Sequence, residues 1–135
     1  MNTLLLDITN KKLINTLKSI KNNNLTISSF SCPKLYLFPQ IVIVDFSTTI
    51  QSNDNEMILT EIIKHIVPQP YIVACMSNWN QEYIHLANIF GINRIVTYDD
   101  EEDLLNLSDM LKNRFWIIHS KFILYLNWAI FIIIL

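Results

Sequence analysis

Two aspartates each close an apolar run, and a carboxylate so placed can hold a cation, accept a transferred group or cap a turn. Asp45 follows Ile41-Val42-Ile43-Val44 and precedes the polar stretch Ser47-Thr48-Thr49. Asp7 follows Leu4-Leu5-Leu6. Four β-branched residues in succession predict a strand buried on both faces, as in a parallel sheet. In open α/β sheets the functional groups gather outside the carboxyl ends of the strands, which is where both carboxylates would stand. Asp45 also has a purely structural use, because aspartate readily hydrogen-bonds nearby backbone amides and so caps a turn.

The remaining reactive side chains form no second constellation. Cys32 and Cys75 lie far apart without a CxxC spacing, which gives no zinc or redox motif and no secreted disulfide framework. Cys75 reads as a buried strand residue. His65, His85 and His119 lack metal-ligand spacing and read as structural or surface histidines. No Ser-His-Asp arrangement stands out, and an enzyme is not expected. The single glycine, Gly91, excludes Walker loops and dinucleotide fingerprints, which need several glycines to bring backbone amides against phosphates.

The 135 residues suit one domain, long enough to bury a core without metals or disulfides. The net charge of -2 argues against a nucleic-acid surface. The charge is uneven along the chain. Lys11, Lys12, Lys18, Lys21 and Lys34 precede Asp45 with Asp7 as the only acid, while 99–103 is a run of five acids. A solvated helix face explains the lysines most simply. Abundant isoleucine, asparagine and lysine fit AT-rich coding. No basic start with a long apolar stretch marks a signal peptide.

Strand and helix patterns alternate around the two aspartates. Thr3 to Ile8 predicts a first strand. Leu13, Ile14, Leu17 and Ile20 form the stripe of a helix over Asn10 to Lys21, stopped by Asn22-Asn23-Asn24. Leu25 to Ser31 predicts a second strand, and the segment Cys32 to Gln40 has room for one or two helical turns. Ile41 to Phe46 is the third strand. Asn53 with Glu56 resembles a capping box for a helix from about Asp54 to Val67, ended by Pro68 and Pro70. Tyr71 to Met76 is the fourth strand. A helix capped by Asn78 or Asn80 follows and leaves through Gly91. Asn93 to Tyr98 is the fifth strand, and Asp99 with Glu102 caps a last helix to about Arg114. Five β/α units with right-handed crossovers predict a doubly wound, flavodoxin-like parallel sheet in order 2-1-3-4-5, with Asp7 and Asp45 neighbours at its C-terminal edge.

This order, with an aspartate ending strand three, resembles the receiver domain of two-component response regulators over about residues 3 to 114. The best local match is Ala87-Asn88-Ile89-Phe90-Gly91-Ile92-Asn93-Arg94-Ile95-Val96-Thr97, a helix exit followed by a short apolar strand. The resemblance implies that Asp45 is the phosphoacceptor candidate and that Asp7 and Asp45 would hold Mg²⁺. It also marks departures. Ile8 stands where a second acid binds the metal. Cys75 stands where a threonine or serine contacts the phosphoryl group. Tyr98 and Asp99 stand where lysine and proline close strand five. Phosphoryl transfer relies on positioning and on neutralising charge at the equatorial oxygens, so these losses imply a degenerate pseudo-receiver. Asp99 would add repulsion.

Residues 115–135 depart from that pattern: 17 of the 21 are apolar, the others being His119, Ser120, Lys121 and Asn127. As a helix the segment would span about 31 Å, near the roughly 30 Å thickness of a bilayer core. Lys121 and Asn127 count against spanning. Three fates stay open: a membrane anchor, a segment packed on the domain or on a second copy, and the altered end of a truncated regulator. The expectation is a receiver-like domain over 1–114 with an apolar tail over 115–135. It would act by contact with a histidine kinase or regulator, with links to transcription control and homodimerisation. The location would be cytoplasmic or an organellar stroma, with membrane association only through the tail. The rival is a tail-anchored scaffold with no phosphorelay role.

Overall fold

The computed structural model describes residues 1–32, 39–66, 69–113 and 133. Five parallel strands form one sheet: β1 (Asn2–Leu6), β2 (Asn24–Ser28), β3 (Ile41–Asp45), β4 (Tyr71–Met76) and β5 (Arg94–Thr97). Their order is β2-β1-β3-β4-β5, as the alternation of patterns predicts. The helices are α1 (Lys11–Lys18), α2 (Phe46–Ile50), α3 (Asn53–His65), α4 (Gln81–Phe90) and α5 (Glu101–Lys112).

Side chains alternate across a strand, so each buried strand feeds two cores. Leu5, Ile41, Ile43, Val73, Cys75 and Val96 face one layer, packed with Leu13 and Leu17 of α1 and Leu104, Leu107 and Leu111 of α5. Leu4, Leu6, Val42, Val44, Ile72, Ala74 and Met76 face the other, packed with Phe46 of α2, Leu59 and Ile62 of α3 and Ala87 of α4. That double cover is why 41–44 can be apolar without interruption. Phe46 anchors its layer through edge-to-face contacts with Tyr83 and Phe90, at ring distances of 6.1 and 6.2 Å.

Local chemistry sets the ends of the elements. Asn80 caps α4 by accepting from the amides of Glu82 and Tyr83, and Gly91 leaves the helix at φ +78°. Asn22 takes a left-handed φ of 58° after α1. Some boundaries differ from the sequence pattern. α1 closes at Lys18: the Ser19 amide still reaches the Asn15 carbonyl, and the Ile20 amide then tightens onto the Leu17 carbonyl at 3.3 Å. Ser52, not Asn53, caps α3, its side chain accepting from the Asp54 amide. Asp100 caps α5, accepting from Glu102 and Asp103, so Asp99 stands one residue outside. The third strand stops at Asp45, and Phe46 already belongs to α2. The helical turns expected before Gln40 fall on 33–38, and the tail on 115–135, both outside the described residues but for Ile133. Among the described residues no helix is long and apolar enough to cross a membrane.

Candidate functional site

The parallel register places both aspartates at the C-terminal edge of the sheet. Leu6 pairs with Val44, so Asp7 and Asp45 follow neighbouring positions on adjacent strands. Asp45 is opposite Cys75 on β4, and Cys75 is opposite Val96 on β5. Tyr98 follows β5, with its amide on the Met76 carbonyl at 2.8 Å. Asp7, Asp45, Cys75 and Tyr98 thus come from four strand ends.

Asp45 is partly buried, and its carboxylate accepts three hydrogen bonds. One carboxylate oxygen, Oδ1, accepts from the Thr48 amide at 3.1 Å and from the Ser47 hydroxyl. Its backbone carbonyl accepts from the Thr49 hydroxyl at 2.9 Å. Asp45 is therefore the N-cap of α2, and the polar run 47–49 exists to meet it. The other oxygen, Oδ2, accepts from the Tyr98 hydroxyl at 3.2 Å across 53 residues of sequence. Burial, then electrostatic interaction with Cys75 and with Asp45, then the bond to Asp45 push the Tyr98 phenol far above its ordinary value. The phenol therefore stays a protonated donor. Beneath it, burial and the nearby Asp45 charge push the Cys75 thiol up likewise. A fully buried, protonated thiol is no nucleophile.

The β1 exit is organised differently. Asp7 takes a left-handed φ of 54°, its amide donating to the Ser28 carbonyl at 3.0 Å. That bend turns the next side chain inward: Ile8 is 3% exposed and packs in the core under α1 and α5. Among the described residues no three His, Cys, Asp or Glu side chains gather as a metal site would need. Asp99 is exposed beside Tyr98. His65 contacts Glu61 at 3.0 Å, in a pair that is exposed on both sides.

No local pattern in the sequence announces the bond from Tyr98 to Asp45, although the tyrosine hydroxyl at the end of strand five is a visible signal. The same is true of α2, which the alternation of patterns leaves out. Phe-Ser-Thr-Thr-Ile is rich in β-branched residues and has poor helix propensity.

No family model matches this sequence, and neither does any curated protein. Solved structures do match in fold. NtrX of Brucella abortus, in complex with ADP, aligns over 91% of this chain with a TM-score of 0.66 and 15% identity. The chain spans only 28% of that protein's length. The Mn²⁺-bound form of the response regulator Rcp1 aligns over 85% of this chain and 93% of its own, at TM-score 0.58 and 17% identity. RcsB of Salmonella enterica serovar Typhimurium, bound to promoter rprA with the phosphomimetic BeF3-, aligns over 82% of this chain and 67% of its own, at TM-score 0.59 and 18% identity. The chain has the receiver fold.

Proposed function

We propose that this chain is a receiver-like regulatory module of two-component signalling that works by protein contact. In this reading Asp45 is chiefly a structural cap and only a poor phosphoacceptor. The bond from the Tyr98 hydroxyl to Asp45 Oδ2 carries the reading. A receiver-type aspartate must present a free oxygen to an incoming phosphoryl group while cations neutralise the charge that develops. Here Oδ2 is covered by a phenol without positive charge, and Oδ1 is committed to α2.

The donor set argues against Mg²⁺ in the same way. Mg²⁺ takes near-octahedral oxygen ligation, commonly through carboxylates and water. Asp7 and Asp45 stand at this edge, but the adjacent Ile8 side chain lies in the core and adds no ligand. In this reading the pair makes a poor Mg²⁺ site. The cap role needs neither metal nor kinase, so the α2 surface stays in one arrangement that a partner can recognise.

The test is incubation of the protein with a small phosphodonor and Mg²⁺, followed by intact-mass spectrometry. The expected outcome is little or no added phosphoryl group. Stoichiometric, base-labile modification that Asp45→Asn abolishes would overturn the reading.

A further inference from the structure

An open groove lies between α3 and α4, on the face away from α1 and α5. Its cavity volume is about 350 Å³, and Asn53, Glu56, Met57, Thr60, Glu61 and Phe90 line it. The space suits one or two large side chains. Met57, 65% exposed, gives the groove an apolar wall open to solvent. Both charged lining residues are glutamates; Glu61 also meets His65, one helical turn on, at 3.0 Å. Two apolar side chains, Met57 and Phe90, beside two acids fit an apolar segment flanked by cations.

This chain itself carries such a segment. Residues 114–121 read Arg-Phe-Trp-Ile-Ile-His-Ser-Lys, four large apolar side chains between two cations. We propose that the α3–α4 groove binds the 114–121 segment of a second copy of this chain. A partner copy is needed for the whole segment, Arg114 and Phe115 included, to lie in the groove. α5 packs against the sheet face opposite α3 and α4. Crossing from one helix layer over the sheet to the other takes roughly 20 Å, at about 10 Å per layer. Arg114 and Phe115 follow Lys112 by two and three residues, which extend at most about 7 and 11 Å. The first cation and the first aromatic anchor therefore cannot enter their own groove. Two copies can exchange segments reciprocally, which closes the assembly as a dimer.

This deepens the contact-module reading by naming the surface and its partner, and it rests on that reading only for its regulatory meaning. Sedimentation of the full chain across concentrations tests it, with and without phosphatidylcholine vesicles. The expected result is a dimer without lipid. Reversing the groove charges (Glu56→Lys with Glu61→Lys) should weaken it about tenfold, the scale of two exposed ion pairs near apolar surface. Reversing the segment (Arg114→Glu with Lys121→Glu) should do the same, and combining all four changes should restore the dimer. Met57→Ser should weaken it without touching charge. A full chain that stays monomeric, one that joins vesicles without self-associating, or a dimer indifferent to the groove substitutions would overturn the proposal. So would failure of the fourfold swap to restore association. None of these results bears on whether Asp45 accepts a phosphoryl group.

Discussion

The exits of β1 and β3 start from the same sequence device, an apolar run ending in aspartate, and resolve it oppositely. After β3 the carboxylate turns back on its own chain and reaches across to Tyr98, so both of its oxygens hold hydrogen bonds. After β1 the backbone does the bending. Asp7 takes the left-handed conformation, and the next residue drops into the core. The same residue type at equivalent ends of neighbouring strands thus works as a cap in one place and as a bend in the other. Position at the C-terminal edge brings groups together; the residues that follow decide what those groups can do.

Placing a charge at the β1 exit should break the contrast most severely. Ile8→Asp puts a carboxylate without a partner among Leu5, Leu13 and Leu17, and should cost roughly 3–5 kcal/mol in urea denaturation. The loss should shrink at low pH, since burial raises the carboxyl's folded-state value and protonation then favours the native state. Asp45→Ala comes next. It leaves the Thr48 amide, the Ser47 hydroxyl and the Tyr98 hydroxyl without their acceptor, and should cost about 1–3 kcal/mol by the same measurement. Asp7→Gly should go the other way. It relieves a left-handed residue while keeping the amide bond to Ser28, and should stabilise by up to about 1 kcal/mol. An Asp7→Gly protein as destabilised as Asp45→Ala would remove the distinction between the two exits.

The smallest expected effect lies where α1 meets α5. Lys12 and Glu101 form an exposed ion pair, and Lys12, through its hydrogen bond and then its charge, lowers Glu101 below its ordinary value of 4.5. A lowered folded-state value means that the pair's stabilisation is present above 4.5 and fades as pH falls through the lowered value. Lys12→Ala should therefore leave the acid midpoint barely moved, and salt should erase the difference.

Much of the scaffold was legible because burial writes itself into residue type. The doubly covered strand at 41–44 is uninterruptedly apolar, the stripe at 13 and 17 is helical, and Gly91 marks the one left-handed exit that glycine serves. The strand order followed from alternation and crossover hand. The placement of both aspartates at one edge followed from that order. What the pattern concealed is short or distant. α2 is five residues long and begins on the last residue of a strand pattern, so its identity depends on Asp45 acting as cap and on Phe46 filling a pocket against Tyr83 and Phe90. The bond between Tyr98 and Asp45 joins residues 53 apart, and no local periodicity encodes it. The left-handed Asp7 was hidden because it directly ends a strand pattern, where nothing marks a bend, while Asn22 was foreseeable from its asparagine run at a helix exit.

The central claim is that Asp45 is occupied where Asp7 is not, and the two can be compared inside one molecule. A water-soluble carbodiimide with an amine converts reachable carboxyl groups to amides, and peptide mapping gives the rate at each site. Asp7 should react readily, Asp45 should resist in the wild type, and Asp45 should gain reactivity in Tyr98→Phe, where the covering hydroxyl is gone and the ring remains. Equal rates at Asp7 and Asp45 in the wild type, unchanged by Tyr98→Phe, would contradict it.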